Sequence, residues 1–238
     1  MESPDISVVV LAYRSASTIE GFVDSLVAEL EKAEVDWEIV LVGNYFENTG
    51  DNTPEVVKKI SDHHPRIKSV VRIKEGMMGW DMRSGLQAAT GKTLAVIDGD
   101  GQMPCVDVIR VYDLMREQEL SLAKTVRVKR NDGLYRRIIS TIYNLIFKIL
   151  FPGINAWDMN SKPKIISREL YQSMDLKSND WFIDAEIMIK ARGLKTGIGE
   201  IKTTFHSIDS RPSFVKPLAI FEFLANLIWY RLKEFRSK

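Results

Sequence analysis

Asp98 and Asp100 stand one residue apart in the run Leu94-Ala95-Val96-Ile97-Asp98-Gly99-Asp100-Gly101-Gln102-Met103-Pro104, where an apolar segment meets a glycine-rich turn. Carboxylates at i and i+2 face one point only if the backbone bends sharply, and Gly99 and Gly101 permit that bend. Hard oxygen ligands of this kind suit Mg2+ or Mn2+, ions that complete their shell with water and substrate phosphates. Gln102 adds a neutral amide oxygen within reach. The competing reading is a solvated Asp-Gly turn, a common motif. A second chemistry lies downstream, where Lys124, Arg127, Lys129 and Arg130 fall close together and Arg136-Arg137 follow. Arginine is suited to bidentate contact with phosphate; a solvated basic strand or loop is the alternative.

The elements that must position these groups are legible from the pattern. Ile6 to Leu11 (ISVVVL) is β-branched and almost wholly apolar, as in a strand buried on both faces of a parallel sheet. Ser15 to Thr18 precede a helix whose apolar residues recur at helical spacing from Ile19 to Leu30. Trp37 to Val42 is a second strand, and Thr53-Pro54-Glu55 starts a second helix through Ile60. Lys68 to Ile73 is a third strand. Gly76 to Gly79 reads as a loop, Trp80 to Ala89 as a helix ending at Gly91, and Thr93 to Ile97 as the fourth strand. Strand alternating with helix predicts an α/β fold built on a mostly parallel sheet. In such sheets ligands bind outside the carboxyl ends of the strands. Ala12, Tyr13, Arg14, Gly43 and Asn44 are therefore expected to share one crevice with Asp98, Gly99 and Asp100.

Composition narrows the class. With 238 residues, 45% hydrophobic and 27% charged, the chain is an ordinary folded protein; a net charge of +1 gives no global argument for a nucleic-acid partner, and none is expected. The single cysteine, Cys105, rules out an internal disulfide and fits a reducing, cytoplasmic compartment. The acidic start MESPD does not read as a signal peptide, and no apolar run reaches the roughly 18 residues that span a bilayer.

Two segments suit a membrane surface instead. In Ile138 to Phe151, read as a helix, Arg137, Ser140 or Thr141, Asn144 and Lys148 fall on one stripe. Ile138, Ile139, Ile142, Leu145, Ile146 and Ile149 cover the remainder. Leu218 to Phe235 is similar, with Trp229 and Tyr230 and a basic end at Arg231, Lys233, Arg236 and Lys238. Helices of this design lie among lipid headgroups, peripherally on the cytoplasmic face. Burial in the core or against a second subunit is the alternative.

The segments ISVVVLAYRSASTIEGFVDSL, EIVLV, GMMGWDMRSGLQAATGKTLAVIDGDGQMP and EIMIKARG resemble family 2 glycosyltransferases of the GT-A fold. The similarity is to the polyprenyl-phosphate sugar synthases related to dolichyl-phosphate mannose synthase, and it covers most of the first 210 residues. It implies a Rossmann-like domain over residues 1–212, including an interface helix at 134–151, followed by a C-terminal helical segment at 213–238. It implies that Asp98, Asp100 and Gln102 hold the divalent ion and the diphosphate of a GDP- or UDP-sugar. It implies that Arg127 and Arg136 or Arg137, with Arg130 nearby, bind the phosphate of a polyprenyl acceptor.

The chain also departs from the family pattern. The first loop reads Leu11-Ala12-Tyr13-Arg14-Ser15 rather than P-A-Y-N-E. The second reads Val42-Gly43-Asn44-Tyr45-Phe46 rather than V-D-D-G-S, so Asn44 and Asp51 become the candidates for contact with the nucleotide base. Asp158-Met159-Asn160-Ser161-Lys162 resembles the family's D-x-x-S-G, with Lys162 at the glycine and Asp158 a candidate for sugar or acceptor contact. Arg211, Ser213 and Lys216 resemble a late cationic loop that closes over the diphosphate. Asp184 or Glu186 matches an acidic residue that serves as base in relatives acting on hydroxyls. A glycan hydroxyl is thus the rival acceptor, and a catalytically inactive donor-binding scaffold is a reading of another class.

Overall fold

The computed structural model describes residues 3–130, 134–206 and 219–236. Seven strands form one sheet: β1 (Ile6–Leu11), β2 (Trp37–Val42), β3 (Ile67–Val70), β4 (Thr93–Asp98), β5 (Leu122–Arg130), β6 (Lys164–Ser167) and β7 (Ile198–Phe205). Their order is β3-β2-β1-β4-β6-β5-β7. Neighbouring strands run parallel except at β6, which is antiparallel to both β4 and β5. The helices are α1 (Ile19–Lys32), α2 (Thr53–His63), α3 (Met78–Ala88), α4 (Val106–Glu117), α5 (Leu134–Leu150), α6 (Arg168–Met174), α7 (Ile183–Gly193) and α8 (Ala219–Arg236).

Period-2 alternation divides the core into two layers. Val8, Val10, Ile39, Leu41, Ala95 and Ile97 face α1 and α4, through Phe22, Leu26, Val108 and Val111. Val9, Leu11, Val40, Val42, Leu94 and Val96 face the other way, toward Met82 and Leu86 of α3, Ile183 and Ile187 of α7, and Phe147 and Phe151 of α5. Burial on both faces explains why β1 and β2 read as continuous apolar runs.

Three local expectations are corrected. The third strand ends at Val70 rather than Ile73; beyond it Ile73 makes only an isolated bridge to Tyr45. The helix placed at Trp80 begins at Met78, inside the stretch read as a loop. Its Gly79 lies against another backbone: an added Cβ would come within 2.5 Å of the Ser178 carbonyl oxygen. The glycine there serves close packing, not a loop. On α5, Asn144 turns inward and is 2% exposed, while Ile138, Ile142, Leu145 and Ile149 face outward at 48–69% exposure. Asn144 finds partners inside, donating to the Ser140 carbonyl and accepting the Met159 amide at 3.0 Å. Interior hydrogen bonds, rather than the polarity of the stripe, orient this helix.

The C-terminal helix α8 is seated on the same core. Leu227 is fully buried, Tyr230 stacks obliquely on Phe182 at 5.1 Å, and Phe223 meets Tyr143 of α5 at 5.7 Å. Arg192 bonds Glu234 at 2.5 Å.

Candidate active site

The crossovers of a parallel sheet deliver the β1, β2 and β4 loops to one edge. The Ala12 amide donates to the Val42 carbonyl at 2.9 Å, and the Gly99 amide to the Leu11 carbonyl at 2.9 Å, so the three strand ends are stitched together. Gly101 sits at φ +74°, a conformation that favours glycine, and carries the turn past Asp100. There Asp100 Oδ1 accepts the Gln102 backbone amide at 3.0 Å. Gln102 Nε2 reaches the His206 carbonyl at 3.3 Å, and the His206 amide donates to the Gln102 carbonyl at 2.9 Å. The residue that follows β7 is thus tied to the acidic turn. A depression of about 550 Å³ opens beside Asp100 and Gly101, walled by Phe22, Met103 and Cys105.

At the end of β2 a buried polar cluster takes shape. Asn44, 1% exposed, donates to Asp81 Oδ1 at 3.0 Å and accepts the Arg72 amide at 2.9 Å. Asp81 also bonds Lys74, whose ammonium lies 4.4 Å from the centre of the Tyr13 ring and 5.7 Å from that of Phe46. Burial raises the Asp81 carboxyl above its ordinary range, against the opposing pull of Lys74 and Asn44. Asp51 accepts the Thr53 amide at 3.0 Å with one oxygen and the Arg14 amide at 3.3 Å with the other. Both residues expected to contact the base are therefore engaged in holding loops. Tyr13, Phe46 and Arg14 form an aromatic and cationic cluster at this edge, with the Tyr13 and Phe46 rings 6.2 Å apart and Arg14 5.5 Å from the centre of the Tyr13 ring.

On the far side of β4 charge lies inside the strands. Arg127 on β5 makes a two-pronged contact with Asp158, Nε to Oδ2 and Nη2 to Oδ1, both at 2.6 Å. Burial opposes ionisation of Asp158, but Arg127 outweighs it and holds the carboxyl below the usual range. The β5–β7 register shifts between Arg127 and Lys129, which marks a bulge next to the arginine. Lys124, wholly buried, bonds Glu200 at 2.6 Å and the Trp157 carbonyl at 2.5 Å.

A further chain of charges links this half to the acidic turn. Lys162 Nζ lies 3.0 Å from both oxygens of Asp98 and 3.4 Å from Asp184, which in turn bonds Lys164 at 2.5 Å. Burial by itself lowers the affinity of Lys162 for its proton, but Asp184 and Asp98 together carry the ammonium above the ordinary lysine value. Likewise, burial penalises the Asp184 carboxylate while Lys162 and Lys164 keep it ionised below its usual range.

The sequence candidates therefore separate into groups. Tyr13, Arg14, Asp98, Gly99, Asp100 and Gln102 gather at one edge, and Arg127 with Asp158 lies across β6. Asp184, one of the two base candidates of the rival reading, is 0% exposed and clamped by two lysines. Glu186 is equally buried and accepts the Lys177 and Ser178 amides. Arg137 is exposed on the first turn of α5. The side chains of Arg130 and Arg136, and all of Arg211, Ser213 and Lys216, lie outside the described residues. The sequence reading did not find Lys74, Asp81 or Lys164, and it placed Lys124 in an open basic cluster where the structure buries it against Glu200. The available signal was a lysine beside apolar strand residues, as in Leu122-Ala123-Lys124 and Lys164-Ile165-Ile166.

The turn's oxygens are of the kind that Mg2+ and Mn2+ take, so the donor set fits in chemistry. It is sparse: among the described residues no group of three or more His, Cys, Asp or Glu side chains is placed to hold an ion. A metal there needs water and substrate oxygens to complete its shell.

This arrangement of a mostly parallel sheet, with one antiparallel strand and an acidic turn after β4, is that of the GT-A glycosyltransferases. The chain belongs to glycosyl transferase family 2, whose model matches residues 7–175. It is 25% identical over 145 residues, 60% of its length, to an undecaprenyl-phosphate 4-deoxy-4-formamido-L-arabinose transferase of Pectobacterium atrosepticum. It is 25% identical over 211 residues, 87% of its length, to a dodecaprenyl-phosphate galacturonate synthase of Rhizobium johnstonii. These matches span 43% and 60% of the two relatives. Among solved structures, glucosyl-3-phosphoglycerate synthase of Mycobacterium tuberculosis bound to UDP superposes with a TM-score of 0.73 at 19% identity, covering 96% of this chain and 80% of that one. The same synthase has been crystallised with Mn2+, UDP-glucose and phosphoglyceric acid.

Proposed function

We propose that this chain transfers a sugar, with inversion, from a nucleotide-sugar donor to a polyprenyl phosphate at a membrane surface. The observation that carries the proposal is the placement of two phosphate-directed groups on adjoining parts of one sheet: the Asp98–Asp100 turn after β4, and Arg127 on β5, one strand beyond β6. The names of the two polyprenyl-phosphate relatives support the acceptor class.

The donor's base lies against Tyr13 and Phe46, and its diphosphate reaches the turn. Asp98, Asp100 and Gln102 would hold Mg2+ or Mn2+, which when bound supplies positive charge to the diphosphate. Arg127, fixed by Asp158, meets the acceptor phosphate, and Arg137 at the start of α5 adds charge to its approach. An acceptor phosphate oxygen attacks the anomeric carbon with its own electron pair. The bond from that carbon to the donor's diphosphate oxygen breaks, and its electron pair leaves with the nucleoside diphosphate. A phosphate oxygen is already anionic near neutral pH, so no side chain has to remove a proton. The rival acceptor, a glycan hydroxyl, needs such a base, and both candidates for it, Asp184 and Glu186, are fully buried.

The membrane reading rests on the outward face of α5, where Ile138, Ile142, Leu145 and Ile149 form a continuous exposed stripe. On α8, Ile228, Trp229 and Leu232 are each 54% exposed. Lys148 and Lys233 stand over the Trp157 and Trp229 rings at 4.7 and 5.1 Å, the mixture of apolar body and cationic rim that headgroups receive. Among the described residues no helix is long and apolar enough to cross a membrane. A donor screen with Mn2+ and a short polyprenyl phosphate, reading lipid-linked sugar, tests the activity. Asp100→Asn is expected to lower transfer about 100-fold or more; unchanged turnover overturns the site.

A further inference from the structure

Lys162 places an ammonium where the family pattern has a glycine. Its side chain is 4% exposed, and it covers both oxygens of Asp98 at 3.0 Å while that carboxylate remains 36% exposed toward the crevice. Behind it, Asp184 and Lys164 complete a run of two carboxylates and two ammoniums with no net charge. Asp98 is therefore a neutralised group as a dication would meet it, and an ion at the turn faces a like charge behind its ligand. Asp184, 3.4 Å from Nζ, is a second counter-charge to the same ammonium, and the Met78 sulfur at 3.1 Å adds none.

We propose that Lys162 is an internal counter-ion to Asp98 that makes divalent-ion binding conditional on the donor: the turn takes its ion together with the diphosphate, whose negative charge replaces what Lys162 removes. The inference rests on the assignment of the turn as the diphosphate site, and it adds an order to binding there. The same ammonium keeps Asp98 in a fixed rotamer before the donor arrives, because one charge touches both oxygens.

Mn2+ binding to the full chain, followed by the electron paramagnetic resonance signal of free Mn2+, tests this without turnover. Lys162→Met is expected to bind Mn2+ alone about tenfold or more tightly than the wild type. Lys162→Gln, which keeps polarity without charge, should do the same and decides the matter if the methionine variant does not fold. Lys162→Arg, which keeps the charge, should match the wild type. Equal Mn2+ affinity in the wild type and the uncharged variants overturns the role of Lys162. Asp100→Asn in the wild-type and Lys162→Met backgrounds separates the two levels of the argument. If it abolishes Mn2+ binding while the lysine variants match the wild type, only the counter-ion inference fails. If it leaves Mn2+ binding unchanged in both backgrounds, the ion is not at this turn and the site assignment fails with it.

Discussion

The two halves of the sheet handle charge in opposite ways. In β1, β2 and β4 the strand interiors are aliphatic, and charge gathers at the ends, with Glu38 at one edge and Asp98 at the other. In β5 and β6, Lys124 and Lys164 sit within the strands at no more than 1% exposure, balanced by Glu200 and Asp184 from distant segments. The first half leaves the Asp98 carboxylate partly exposed; the second spends most of its charge on itself. Lys162 belongs to the second half yet reaches the first, so the acidic turn depends on both.

The largest expected effect falls on the second half. Asp184→Ala leaves Lys162 and Lys164 without their shared carboxylate, and urea unfolding should show a loss of about 3–5 kcal/mol. A loss below about 1 kcal/mol would mean that water or backbone already balances the lysines. Acid should act on the same half. Asp158 and Asp184 have folded-state values below the ordinary 3.8, so each contributes stability that is fully present above that value and is lost as the pH falls through the depressed one. Unfolding measured from pH 7 downward should steepen below pH about 4. In Asp158→Asn that acid limb should be shallower.

The aliphatic strand interiors of the first half should respond to packing alone. Ile39→Val in the fully buried interior of β2 is expected to cost about 0.5–1.5 kcal/mol, with no change in the acid limb. The smallest effect on stability is expected outside both halves. Ile142→Glu with Ile149→Glu on the exposed face of α5 should leave unfolding unchanged within about 0.5 kcal/mol. The same pair should abolish flotation with anionic liposomes; retained flotation would remove α5 from the membrane contact.

These contrasts also explain what was legible in advance. The first four strands, α1 and α2 follow from short-range pattern, because each buries aliphatic side chains at a period set by its own backbone. The convergence of Tyr13 and Asp98 follows from the parallel topology alone. The antiparallel β6 does not, since Lys164-Ile165-Ile166-Ser167 is too short and too mixed to declare its direction. The surroundings of Asp184 were illegible for a related reason: an acidic residue at the start of a helix reads the same whether it faces solvent or two lysines.

By itself the amino-acid sequence determined the strand–helix alternation, the acidic glycine-rich turn after β4 and the apolar character of α5 and α8, all of which are local consequences of residue type and spacing. Only the tertiary structure decided which charges cancel: Lys162 on Asp98, Lys164 on Asp184, and Arg127 on Asp158. Those partners stand 64, 20 and 31 residues apart in the chain. Electrostatic pairing depends on distance in space, and no periodicity along the chain reports it.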